Sequence, residues 1–193
     1  MVQSQDKRGW ILLPALNEEV VLPILMNKFQ SVLGGAGIDY RVVVCDDGST
    51  DGTLAVIAEL SKGHPLEAIT HIMNRGLGET SRDLFEFASC NADVGDVIVR
   101  MDCDDTHDPS VILAMLGKID QGNDVVIASR FQPGGRQTGF GFYRRMISRL
   151  ANWFMKFFFP LKGVHDYSSG FRAYRAEMVK RAIDFYGNNF RGP

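Results

Sequence analysis

Val42-Val43-Val44-Cys45-Asp46-Asp47-Gly48-Ser49-Thr50-Asp51-Gly52 is the stretch whose reading decides the fold. From Arg41 to Cys45 the chain reads as a strand, and its unbroken β-branched apolar run suits one covered on both faces. The run ends abruptly in Asp, Gly and Ser. These are turn and N-cap residues, and the apolar spacing that follows predicts a helix through about Lys62.

The same passage from buried strand to helix recurs on both sides. Upstream, Trp10 to Leu13 predicts a strand. A helix then follows, capped by Asn17, with Glu18 and Glu19 in its first turn, running to about Leu33 and stopped by Gly34-Gly35. Downstream come a weaker strand over Ala68–Ile72, a helix over 79–90, a strand over Asp96–Met101, a helix from about Pro109 to Ile119 and a strand over Asp124–Ala128. A last helix runs from about Ala176 to Tyr186. Strands alternating with helices predict an α/β fold, a mostly parallel sheet with helices on both faces.

The chain has 193 residues, 45% of them apolar, enough for one compact domain with a full core. A formal net charge of −2 and a pI near 6.1 remove the simplest argument for nucleic-acid binding, so no nucleic-acid partner is expected. The average hides a split. Residues 1–129 carry 9 Lys and Arg against 20 Asp and Glu, residues 130–162 carry 7 against none, and the remainder carries 5 against 3. Three cysteines, Cys45, Cys90 and Cys103, form neither a disulfide framework nor a four-ligand zinc pattern, which predicts a reducing compartment. The polar N-terminus leads into an apolar run too short for a signal-peptide core or a span, so a cytosol-facing domain is expected.

In a sheet of this kind ligands lie at the carboxyl ends of the strands. The residues that follow the first four strands are Pro14-Ala15-Leu16-Asn17-Glu18, Asp46-Asp47-Gly48-Ser49, Asn74-Arg75-Gly76-Leu77-Gly78 and Asp102-Cys103-Asp104-Asp105. Asp102 and Asp104 form either a solvated acidic turn or a site for a hard divalent cation completed by diphosphate oxygens and water. An EF-hand is excluded, because His107 stands where glycine is needed and Leu113 where the bidentate glutamate belongs. The Asp46–Gly52 turn is either structural or offers Asp46 to a nucleobase. Asn74–Gly78 is either a plain turn or a backbone made small for a nucleotide. Neither a dinucleotide fingerprint nor a P-loop is present, so dehydrogenase and NTPase readings fall away.

Taken in order, these motifs resemble those of family 2 glycosyltransferases. The resemblance rests on Pro14-Ala15-Leu16-Asn17-Glu18-Glu19, Val44 to Thr53, Asn74 to Gly78, Met101 to Asp104 with His107 and Pro109, and Ala128-Ser129-Arg130. Gly134-Gly135, Arg144 to Ser148, Ala151-Asn152, Asp166 and Ser169 to Tyr174 make the chain most similar to the dolichyl-phosphate mannose synthase branch, the polyprenyl-phosphate glycosyltransferases. The likeness runs from about residue 10 to 180.

The resemblance implies a GT-A fold and an inverting, metal-dependent transfer of a hexose from a GDP- or UDP-sugar to a polyprenyl phosphate. It assigns base and ribose to Pro14, Leu16, Glu18, Val44 and Asp46, with Gly76 lining the same pocket. Asp102 and Asp104 would hold Mg²⁺ or Mn²⁺ on the diphosphate, with Cys103 lending backbone and Thr106, standing where the branch often has a glutamine that helps at the metal, as a third metal residue. Asp104, Arg130 and Arg144 are the expected catalytic residues, and Arg130, Arg144, Arg145 and Ser148 the expected acceptor-phosphate site. Within the single domain 1–193, about 10–130 would take the nucleotide sugar and metal, and about 131–193 would face the acceptor and membrane. The branch continues past Ser169–Arg172 with a strand and a basic closing loop, so the chain is expected to be a fragment or a minimal member, completed by a further segment or a membrane-embedded partner. Other acceptors (a polysaccharide, lipid or protein glycan) and an idle GT-A binding module are the alternatives.

Phe140 to Leu161 mixes Phe140, Phe142, Tyr143, Trp153, Phe154, Phe157, Phe158 and Phe159 with Arg144, Arg145, Arg149 and Lys156. Such a helix either packs on the sheet with a wet cationic edge or lies in the headgroup region of the cytosolic membrane face, and the two hold together on different faces.

Overall fold

The computed structural model describes residues 7–104, 106–129, 142–160 and 163–186, without the side chains of 142–145 and 147–149. The described strands are β1 (Gly9–Ala15), β2 (Tyr40–Asp46), β3 (Leu66–Thr70), β4 (Val97–Arg100), β5 (Val125–Ile127) and β6 (Arg172–Arg175). The helices are α1 (Val21–Phe29), which runs on into a π-helical turn Gln30–Gly34, α2 (Thr53–Leu60), α3 (Leu77–Asn91), α4 (Ser110–Asp120), α5 (Phe142–Phe158) and α6 (Ala176–Tyr186).

The strands form one sheet in the order β3-β2-β1-β4-β6-β5. β3, β2, β1 and β4 are parallel, as the alternation with helices requires, and β6 runs antiparallel between β4 and β5. Successive side chains of a strand point to opposite faces. Ile11 and Leu13 of β1, with Val42 and Val44 of β2, therefore enter one core beneath α1 and α4, which α2 joins through Ile57. Trp10 and Leu12, with Val43 and Cys45, enter a second core against α3 and α6. Central strands buried on both sides account for the continuous apolar runs.

The sheet differs from the sequence reading in three places. Asn17 does not cap α1: it adopts φ 59°, a left-handed backbone that asparagine tolerates, and the helix begins only at Val21. Glu18 and Glu19 consequently precede the helix. β3 lies two residues earlier than its apolar pattern suggested, because pairing to β2 runs from Val42↔Leu66 to Asp46↔Thr70 and leaves Ile72 fully exposed. β6 was not foreseen as a strand. Its sequence Arg172-Ala173-Tyr174-Arg175 carries a single core aliphatic, Ala173, while Tyr174 meets Phe85 of α3 edge-on at 5.4 Å.

Candidate functional site

The loops after β1 and β2 are laced together by side chains that replace a helix cap. Asn17 N–H donates to Ser49 Oγ at 2.8 Å, and Thr50 N–H to Asn17 Oδ1 at 2.9 Å. Glu18 N–H donates to Thr53 Oγ1 at 2.8 Å, and Gly52 N–H to Glu19 Oε2 at 2.7 Å. The third loop closes against the second at Gly48, with φ 74°, where an added Cβ would stand 2.6 Å from the Met73 carbonyl carbon. Only glycine fits there.

Between these loops and the one after β4 lies a cavity of about 320 Å³ at the carboxyl edge of the parallel strands. Pro14, Leu16 and Glu18 line it from the first loop, Asp47 from the second, Asn74, Gly76, Leu77 and Thr80 from the third and the start of α3, and Asp102, Cys103 and Asp104 from the fourth. Thus Pro14, Leu16, Glu18, Gly76, Asp102, Cys103 and Asp104, chosen from sequence, come to one place. A larger cavity, about 530 Å³, opens between α3 and α6. Its walls are mainly apolar and its two carboxylates, Glu79 and Glu86, are paired with Arg82, whereas four carboxylates, Glu18, Asp47, Asp102 and Asp104, line the smaller one.

Two sequence-chosen residues do not reach the wall. The Val44 side chain is fully buried in the core with Ile11 and Leu13. Asp46, also buried, is taken up by the Ser49 hydroxyl and the Ser49 N–H. Its neighbour Asp47 lines the cavity instead and was missed. Asp46 ends the strand and turns to Ser49, while Asp47, the first residue beyond it, turns to His71 and the Arg75 and Gly76 amides, and the sequence carries no mark of which one lines the cavity. Arg130 lies outside the described residues, as do the side chains of Arg144, Arg145 and Ser148.

Arg100 Nη1 donates to Asp102 Oδ1 at 2.7 Å, and His107 Nε2 stands 3.3 Å from Asp102 Oδ2. The His107 hydrogen bond, opposed by burial and reinforced by the Arg100 charge, holds the Asp102 carboxyl below its ordinary range. Asp104 Oδ1 accepts from the Thr106 N–H at 3.1 Å and from its hydroxyl at 2.6 Å, which leaves Thr106 orienting Asp104. Glu18 is shifted the other way: burial, then the charges of Asp104 and Asp51, raise its pKa. Burial also raises the Cys103 thiol, with Glu18, Asp104 and Asp102 adding to it, so sulfur is kept from ionising. Gly170 shapes the arrangement from β6's approach. A Cβ there would overlap Arg100 Nη1 and stand 3.5 Å from Asp102 Oδ2.

Carboxylate oxygens beside a protonated thiol form a hard donor set, which fits Mg²⁺ or Mn²⁺ and disfavours soft ions. Among the described residues no three His, Cys, Asp or Glu side chains converge as a ready-made metal cluster.

With this geometry, comparison with known proteins is decisive: the model of the family described as glycosyl transferase family 2 matches residues 10–182. The chain belongs to that family. Among its relatives, polyprenol monophosphomannose synthase of Mycolicibacterium smegmatis is 32% identical, aligned over 96% of this chain and 69% of its own length. Dolichol-phosphate mannosyltransferase of Pyrococcus furiosus is 34% identical over 88% of this chain, and the chain spans about half, 47%, of that relative. Glucosyl-3-phosphoglycerate synthase of Mycobacterium tuberculosis, solved with Mn²⁺, UDP-glucose and phosphoglyceric acid, superposes with a TM-score of 0.63 at 20% identity, covering 94% of this chain and 66% of that one. Its likeness is one of fold, and the fold is GT-A.

Proposed function

We propose that this chain transfers a hexose, with inversion, from a nucleoside diphosphate sugar to a polyprenyl phosphate. The observation that carries the reading is the convergence of four loops on one cavity containing Asp102, Asp104 and Glu18. The names of the two mannosyltransferase relatives support the sugar and the lipid acceptor. The Mn²⁺ complex of the structural neighbour supports a divalent cation.

Asp102 and Asp104 would hold the cation, with Thr106 orienting Asp104 and Cys103 contributing backbone. Held there, a divalent cation would neutralise charge on a departing diphosphate. Pro14, Leu16 and Glu18 would face base and ribose, with Gly76 opposite them and Asp47 in place of Asp46 on the wall. Arg130, Arg144, Arg145 and Ser148 are proposed for the acceptor phosphate, since a guanidinium matches phosphate with a planar fork of donors. A lipid phosphate is already ionised near neutral pH, so the attacking oxygen needs no strong base.

The exposed face of α5 supports an acceptor at a membrane surface. Trp153, Phe154, Phe157, Phe158 and Phe159 are 52–67% exposed beside Lys156. No helix among the described residues is long and apolar enough to cross a membrane. Exposed rings with a cation at the end of the helix suit the headgroup layer of the cytosolic face.

The test is direct. Calorimetry with GDP and UDP in the presence of Mn²⁺ identifies the donor class, and the matching labelled nucleotide sugar with a polyprenyl phosphate yields an acid-labile, solvent-extractable product. Binding of neither nucleotide refutes the reading. Transfer to a polysaccharide, lipid or protein glycan instead of the lipid phosphate overturns the acceptor, and nucleotide binding without turnover under any acceptor overturns the transferase reading in favour of an idle GT-A binding module.

A further inference from the structure

His71 follows β3, is buried to 4% side-chain exposure, and has no assigned part in the chemistry above. Its Nδ1 lies 2.7 Å from Asp47 Oδ1 and its Nε2 lies 2.8 Å from Asp83 Oδ2 on α3. An ionised carboxylate only accepts hydrogen bonds, so a ring nitrogen facing one carries a proton, and a ring facing two carries both. Asp47 in turn accepts from the Arg75 N–H at 2.8 Å on Oδ1 and from the Gly76 N–H at 2.9 Å on Oδ2. Asp47 and Gly76 are cavity wall.

We propose that His71 is a positioning residue of the donor pocket: clamped with both ring protons between Asp47 and Asp83, it fixes the Asp47 carboxylate, which sets the Arg75 and Gly76 amides and hence the wall against which a nucleoside diphosphate packs. The inference rests on reading the cavity as a nucleotide-sugar site.

The charges around the ring make the clamp sensitive to pH. From β2 it is faced by the Cys45 Sγ at 3.6 Å, a thiol pushed up to about 12 chiefly by burial and therefore neutral. Asp47 faces it from the second loop and Asp83 from α3, and Arg75 Nη1 lies 3.2 Å from the same Asp83 oxygen. Burial disfavours the charged ring, but the hydrogen bonds it donates to both carboxylates outweigh it and raise the His71 pKa. Burial likewise opposes ionisation of Asp47, and the bonds it receives from His71, Arg75, Gly76 and Thr80 more than offset this, so its pKa falls. With the ring charged, two carboxylates meet two cations. When the ring loses a proton, one of its two bonds is lost and a buried negative charge is left over.

The sign follows. A raised histidine contributes stability that is complete below its unfolded pKa and is lost as pH rises through the folded value. The clamp therefore opens on the alkaline side, and the pocket wall loosens with it.

The experiment uses the full chain and its Asp83→Asn and His71→Gln variants, from about pH 6 to 9, the range a perturbed histidine covers. Three quantities are measured: ¹⁵N shifts of the His71 ring, hydrogen exchange of the Gly76 amide, and calorimetric affinity for GDP and UDP with Mn²⁺. Expected are a doubly protonated ring near neutral pH, and nucleotide affinity that weakens about tenfold as the ring titrates, the scale of one charge-assisted hydrogen bond. Asp83→Asn moves the ring midpoint and the affinity midpoint down together, with the loss falling on donor KM rather than kcat. His71→Gln removes the pH dependence. A ring that is neutral near pH 7 overturns the proposal, as does an unmoved Gly76 exchange profile in Asp83→Asn when the ring midpoint has shifted. If neither nucleotide binds, the functional reading fails by itself, and the ring shifts and Gly76 exchange still decide for or against the clamp.

Discussion

Asp102 and Asp104 sit two residues apart yet are held by different partners, Arg100 with His107 and Thr106 respectively. Asp104→Asn keeps the Thr106 contact and removes the charge, so the fold should survive while metal-dependent transfer falls by about 10²–10³, the scale of losing one electrostatic stabiliser of a leaving group. A coupled assay for released nucleoside diphosphate, with a thermal melt as control, checks both halves. Glu18 gives a stability test with a definite sign. Its pKa is raised, so its contribution is fully present below the ordinary glutamate value and is lost as pH rises through the folded one. Glu18→Gln should therefore raise the melting temperature of the metal-free protein at neutral pH, and the gain should vanish toward about pH 4, where the unfolded glutamate is itself protonated. Gly170→Ala sets a methyl against the Arg100 guanidinium, and overpacking of this kind costs about 1–3 kcal/mol in a denaturant titration.

Among the elements, α5 exposes a cluster of aromatic rings toward its C-terminal end. Trp153 and Phe157 stack at 5.8 Å between centroids with 63% and 67% of their surface exposed. Replacing both by alanine removes little native packing, so the melting temperature should hardly change. Sedimentation with vesicles containing anionic lipid should show binding weaker by about tenfold or more, since burying one such ring is worth about 1.5–3 kcal/mol. The other face of the helix region is tied down independently: Asn152 Nδ2 donates to the His165 carbonyl at 2.9 Å and its Oδ1 accepts from the Tyr167 N–H at 2.8 Å. Element boundaries were legible wherever an apolar run ended in a turn residue, as at Cys45–Asp46. They were not legible at α1, where Asn17 spends its side chain on the neighbouring loop, or at β3, where inter-strand pairing chose the register.

At the scale of the whole molecule, the sheet is held together by β1, a seven-residue strand paired on both of its edges. Leu12 of β1 is fully buried in the core beneath α3, with Ile11 and Leu13 buried in the other. Leu12→Ala should cost about 2–5 kcal/mol, the range for truncating a fully buried leucine, in a chemical denaturation curve. Because β1 pairs with both β2 and β4, three of the four loops around the cavity depend on it.

Local chemistry determined much of this protein before any tertiary contact was known. Apolar runs and turn residues specified alternating strands and helices, and the rule that ligands sit at strand ends pointed to the four loops. Those are properties of neighbouring residues and their periods, whereas the choice of Asp102, Asp104, Glu18 and Gly76 within the loops came from the family resemblance. The antiparallel entry of β6 between β4 and β5, the burial of Val44, the choice of Asp47 over Asp46 and the His71 clamp were decided only by the folded structure. Each depends on groups 12 or more residues apart, such as His71 with Asp83 and Asp47, or on competing partners for one carboxylate. A sequence shows which donors and acceptors exist; which of them meet is settled when burial removes water as the alternative partner.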